Sequence, residues 1–134
     1  MRINYNCLRD VMLAVEAHEY IDNEMNLTEL WHSDLLDIPA LRYYEPKEIT
    51  YAAIIAIEAG LIAGKFQASG EEVDYLYIMR LTADGHRFLE NIRPDDVWDI
   101  VCSFGAQTGT LSIDMINTVA PQVLMRMLSE MQFL

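Results

Sequence analysis

The sequence is short of cations. Lysine occurs only at 47 and 65, and nine basic residues stand against 21 acidic ones among 134, a net charge of −12. A duplex-binding protein draws much of its affinity from phosphates neutralised by Lys and Arg. The shortage therefore points away from nucleic acid and toward protein partners. Cysteine is nearly as scarce. Cys7 and Cys102 lie far apart, each inside a helix-like apolar pattern. That placement reads as two small buried hydrophobes in a reducing compartment, not as a disulfide.

Long hydrophobic runs are missing as well. The richest stretch, "YAAIIAIEAGLIAG", is interrupted by Glu58 and falls far short of the roughly 20 apolar residues that a membrane span needs. The N-terminus, "MRINYNCLRD", turns polar too early for a signal peptide. A cytoplasmic protein without a membrane partner is expected. No repeat, low-complexity tract or Pro/Gly-rich linker divides the chain, so a single domain over 1–134 is expected.

Catalytic spacings are absent too. There is no HExxH, CxxC or GxSxG, and "SFGAQTGTLS" has two glycines without the lysine of a phosphate loop. His86 and Glu90, at i and i+4, make half a zinc site at most. Extended to Arg93, the same spacing makes a solvated ladder of alternating charge, and that ladder, or a packing role for His86, is the reading adopted over a metal site. Glu71/Glu72 suit a wing turn and Asp95/Asp96 a helix N-terminus. General acid–base work needs two carboxylates in contrasting environments within one cleft, and nothing places these together. The expectation is a non-enzyme with no metal and no cofactor.

What is present is a folding sequence, 52% hydrophobic. Leu8, Val11, Met12 and Val15 recur at helical spacing and predict a helix over about 4–19. In 20–45, "MNLTELWHSDL" suits a short strand or a helical turn, and Tyr43 and Tyr44 are open between surface and core. Pro46 starts a second helix that ends at Gly60. "LIAGKFQ" and "VDYLYIMRL", joined by "ASGEE", predict a β-hairpin with a bulge or bend at Gly64. In "LTADGHRFLENIRPDDVW" Thr82 is placed to cap a helix, and Leu81, Gly85, Phe88, Leu89 and Ile92 form one buried stripe. A glycine on that stripe implies close backbone approach, because it otherwise costs about 1 kcal/mol in a helix. Pro94 breaks the run, and Asp95 and Asp96 open a helix carrying Val97, Trp98, Val101 and Cys102. "TLSIDMINTV" and "APQVLMRMLSEMQFL" read as two more helices, the second begun by Pro121. The expected fold class is α+β, mainly helical. It has a winged-helix-like core of helices and a two-stranded wing. Helices from about 95 to 134 pack on that core or form a dimer interface.

Leu81, Thr82, Gly85, His86, Phe88, Leu89, Ile92, Arg93 and Trp98 spell LT-x-x-GH-x-FL-x-x-IR-x-x-x-x-W. With the "GLI" at 60–62 and the hairpin, this pattern resembles a family of short bacterial and phage proteins of unknown function. "EAGLI" before a hairpin and "LT-x-x-G" after it are also shared with winged-helix regulators. The resemblance spans roughly 4–131 and is weakest over 20–45. It implies a winged-helix fold, a prophage setting in a bacterial host cytoplasm, and a structural role for the signature residues. In one departure, Tyr51 is followed by Ala52 where family members carry a Tyr-His pair, so no role of that histidine transfers.

In a winged-helix arrangement the helix before the hairpin lies in the major groove, and Lys47, Thr50, Tyr51 and the wing's Lys65 are its candidate contacts to DNA or a partner. Yet Ile49, Ala52, Ala53, Ile54, Ile55, Ala56 and Ile57 wrap nearly the whole circumference, and a helix apolar all round is expected to be buried all round. Over 46–80 three bases face five acids, a local net of −2. The preferred expectation is a non-enzymatic module acting through protein contacts. Its homodimer would form through Leu124, Met127, Leu128 and Met131, with the eight methionines lending an adaptable surface. The alternatives are a DNA-binding regulator, and an acidic inhibitor occupying the basic groove of a host nucleic-acid-binding defence protein.

Overall fold

The computed structural model describes residues 1–131. The fold is α+β and mainly helical: a helical core with a hairpin wing, followed by further helices. Two compact units divide the chain, Met1–His86 and Arg87–Leu134.

The first unit opens with α1 (Tyr5–Ala17), whose N-cap Asn4 accepts from the Cys7 N–H at 3.2 Å. Its buried stripe is Cys7, Leu8, Val11, Met12 and Val15, as the spacing predicts. The helix stops short of residue 19 because His18 is already extended, and the His18 ring bonds the Thr28 carbonyl at 3.0 Å. In the intervening loop the Asp22 carboxylate accepts from the N–H groups of Glu24 and Asn26. Both options for the ambiguous segment are realised. A two-residue strand β1 (Leu30–Trp31) leads directly into a short helix α2 (His32–Leu36), and a 3-10 turn follows at Pro39–Leu41.

Next comes α3 (Pro46–Glu58), with Pro46 in its first turn and a capping box between Glu45 and Glu48. Gly60 lies just beyond its end at φ +76°. The strands β2 (Ile62–Ser69) and β3 (Glu72–Leu81) run further than "ASGEE" as a loop would allow. Gly70, at φ +63°, tightens the connection to Gly70–Glu71, so Ser69 pairs with Glu72. The bulge expected at Gly64 is present: Ala63 pairs with Arg80 and Gly64 with Ile78, leaving Met79 unpaired. A Cβ at Gly64 would stand 2.6 Å from the Tyr77 carbonyl oxygen. The antiparallel sheet has the order β1-β3-β2. Leu30, Leu76 and Ile78 are buried, as are Leu8, Met12, Leu35, Leu41 and Ile49 from the helices and the 3-10 turn. Helix, strand, helix, 3-10 turn, helix and hairpin follow one another in this unit.

The second unit holds the later part of α4 (Ala83–Ile92), then α5 (Asp95–Thr108) and α6 (Ile113–Glu130). Phe88, Leu89 and Ile92 are buried, completing the predicted stripe with Leu81 and Gly85. Gly109, at φ +73°, ends α5, and the Ser112 hydroxyl starts α6 by accepting from the Met115 N–H at 3.1 Å. One expectation is corrected here: the segment read as two helices is one, with Pro121 inside it. A proline removes one hydrogen bond and crowds the preceding turn, but the apolar period runs through it in phase. Ile116 and Ala120 before it and Leu124 and Met127 after it share one stripe. The residues after Met131, which the sequence reading assigned to the last helix, lie outside the described residues.

Candidate interaction surfaces

The buried side of α3 is made by Ile49, Ala52, Ala53 and Ala56. Its other isoleucines, Ile54, Ile55 and Ile57, are half-buried, so the expectation of a helix enclosed on every side is corrected. Helical geometry gives the reason. The three alanines and Ile49 fall within one arc, and Ile54 lies nearly opposite, beside Lys47, Tyr51 and Glu58. That outward face is not cationic. Lys47 sits 3.4 Å from the Glu45 carboxylate, and Glu58 is exposed at the other end. Thr50 is committed within the fold, its hydroxyl donating to the Pro46 carbonyl at 2.8 Å and lying 2.7 Å from the His32 ring nitrogen. Tyr51 is half-buried.

Lys65, the remaining candidate contact, is exposed on β2 opposite Tyr77. Beside it is a feature that sequence reasoning missed. Trp31 and Tyr77 meet at 5.1 Å between ring centroids, and Tyr77 stacks on Tyr75 at 6.1 Å. Trp31 is 47% and Tyr75 39% exposed. The three rings form a continuous aromatic strip on the sheet face opposite the core residues Leu76 and Ile78. The signal was in "VDYLYIMRL", where the residues alternating with Leu76 and Ile78 are aromatic instead of polar, so neither face reads as a solvated one.

The start of α4 is fastened to the end of α3. Thr82 donates its N–H to the Leu61 carbonyl at 3.0 Å and its hydroxyl to the Gly60 carbonyl at 2.6 Å. The same hydroxyl accepts from the Gly85 N–H at 2.9 Å. Gly85 leaves room for the Leu61 carbonyl: a Cβ there would fall 1.9 Å from that oxygen. "GLI" and "LT-x-x-G" are thus two halves of one joint. Arg93 pairs with Glu90 at 2.8 Å, so the rung of the charge ladder that forms is the one without His86. His86 is exposed and borders an open groove of about 440 Å³ together with Glu16, His18, Tyr20 and Arg80. Among the described residues no three His, Cys, Asp or Glu side chains converge as a metal site would require, and no helix is long and apolar enough to cross a membrane.

On α6 burial fades along one stripe. Ile116 and Ala120 are fully buried and Leu124 and Met127 half-buried, whereas Leu128 is 47% and Met131 62% exposed. Met125 is exposed beside them. Cys7 is buried, Cys102 half-buried, and the two are not joined in a disulfide.

A family model described as "Hypothetical protein (DUF2513)" matches residues 2–111. The chain belongs to that family. The match takes in α1 through α5, including that joint and the aromatic strip, and stops before α6. Comparison with curated proteins and with solved structures finds no match.

Proposed function

We propose that the chain is a non-enzymatic winged-helix protein of a phage or prophage setting. In this reading it works in the bacterial cytoplasm through protein–protein contacts and pairs with a second copy of itself. The outward face of α3 carries the reading. A groove-reading helix offers cations and amides to phosphates and bases. This one offers a lysine already beside a carboxylate, a half-buried tyrosine and isoleucine, and a glutamate. Self-association is supported by the α6 stripe, whose apolar residues continue through Leu128 and Met131 after their cover has run out. Uncovered apolar surface of this kind favours burial against a partner.

Light scattering on the full chain at micromolar concentration is expected to give the dimer mass, and Leu128→Glu the monomer mass. A monomer at all concentrations would refute the pairing. Duplex DNA titrated against the chain is expected to show weak binding. A tight complex whose affinity falls steeply with added salt would overturn the protein-contact reading itself.

A further inference from the structure

Resting on the protein-contact reading, we infer that the Trp31–Tyr77–Tyr75 strip and the acidic wing tip beside it form the docking surface for an arginine-bearing segment of a partner protein. The rings are in contact with one another, so their face is held without help from a ligand. Trp and Tyr in such positions are the side chains that carry binding energy at protein interfaces. Tyr75 leads directly into the hairpin tip, where Glu71, Glu72 and Asp74 are all exposed. Ser69 donates to the Asp74 carboxylate at 2.7 Å, which steadies its position and leaves its charge in place.

The charge selects the occupant. A nucleic acid strand offers bases to stack on the rings, but its phosphates would approach three carboxylates with Lys65 as the nearby cation. A second copy laid on the strip would set the same carboxylates against each other. A guanidinium suits both halves: its plane stacks on Trp or Tyr faces, and its N–H fork pairs with a carboxylate. The molecule already shows such stacking elsewhere, with the Arg42 guanidinium 4.7 Å from the centre of the Tyr43 ring.

Trp31 provides the readout, since the other tryptophan, Trp98, is only 5% exposed. A short arginine–serine peptide is added to the full-length protein while tryptophan emission and, separately, calorimetric heat are followed. A glutamate–serine peptide and oligothymidylate serve as the other arms. The arginine peptide is expected to change Trp31 emission saturably, and the other two are not. Glu72→Gln with Asp74→Asn is expected to weaken binding about three- to tenfold. Trp31→Ala is expected to weaken it by a similar factor in calorimetry. Where Trp31→Ala disturbs the short strand, the carboxamide pair tests the same surface at exposed positions. Equal responses to the arginine and glutamate peptides, tighter binding of oligothymidylate, or an emission change on raising protein concentration alone would each overturn the assignment. If the chain pairs through α6 while Trp31 ignores the arginine peptide, the docking surface fails and the protein-contact reading stands. Tight, salt-sensitive duplex binding would instead remove the reading on which it rests.

Discussion

Gly85 is where a single atom matters most. A methyl group there would overlap the Leu61 carbonyl oxygen at 1.9 Å, and that carbonyl is held by the Thr82 N–H. Neither partner can swing aside as a flexible side chain would. Gly85→Ala, which on helix propensity alone should gain about 1 kcal/mol, is expected to lose about 3 kcal/mol or more. Urea unfolding of the two proteins checks the sign. Cys7 and Tyr44 make a second prediction at this scale. Burial pushes the Cys7 thiol up from its ordinary 9.0 to about 12, with the charges of Glu48 and Asp10 adding to it. Burial also raises the Tyr44 phenol, helped by the hydrogen bond it donates to Asp10 at 2.6 Å. Both groups are neutral in the fold. For Cys7 the folded value lies above the unfolded one, so its contribution is full below pH 9 and is lost as pH rises from about 9 to about 12. Stability measured across that range is expected to fall, and less so in Cys7→Ala. Under native conditions near pH 8 a thiol reagent should modify Cys102 well before Cys7.

At the scale of elements, α6 is the informative case. Pro121 costs its helix one hydrogen bond, the one its missing N–H would donate to the Asn117 carbonyl. Pro121→Ala is expected to stabilise the protein by about 1–3 kcal/mol, read as a rise in melting temperature with unchanged secondary structure. A fall would mean that the packing of the proline ring outweighs the missing hydrogen bond. The sequence misread this helix because a proline at a first turn and a proline within a longer helix leave the same local trace. What separates them is whether the apolar stripe keeps its phase on both sides. The hairpin was more legible. "ASGEE" between branched and aromatic runs located the connection, which the fold narrows to Gly70–Glu71, and Gly64 located the bulge, since each glycine answers a backbone requirement that no other residue meets as readily. Segment 20–45 stayed ambiguous because β1 is two residues long and gains its partner, β3, only from a stretch more than forty positions away. The aromatic strip is likewise split between "LW" and "YLY", and only the pairing of Trp31 with Tyr77 brings the parts together.

Over the whole molecule, charge is the dominant quantity. With 21 acidic residues against nine basic ones, the folded chain repels itself, and screening relieves compact states more than extended ones. Melting temperature is therefore expected to rise as salt is increased from a few millimolar to about 0.15 M, where the screening length is about 8 Å. A flat or falling curve would mean that attractive pairs outweigh the surplus.

Helix periods, the Thr82 cap and the hairpin were set by the sequence alone, because each depends on residues close along the chain or on a conformation only one residue type accepts. The charge balance was fixed there too, being a sum that folding does not alter. The glycine at 85 announced a close backbone approach, but only the fold supplied the Leu61 carbonyl it meets. The buried stripes of α1 and α4 were legible from spacing, but where apolar residues cover more than one side of an element, which of them meet water was left to the tertiary structure. The arc of alanines on α3 turned its isoleucines half outward, strand pairing assembled the rings of Trp31, Tyr75 and Tyr77, and the cover over α6 ended before its stripe did. The exposure of such residues depends on what arrives from elsewhere in the chain, and their local pattern does not carry it.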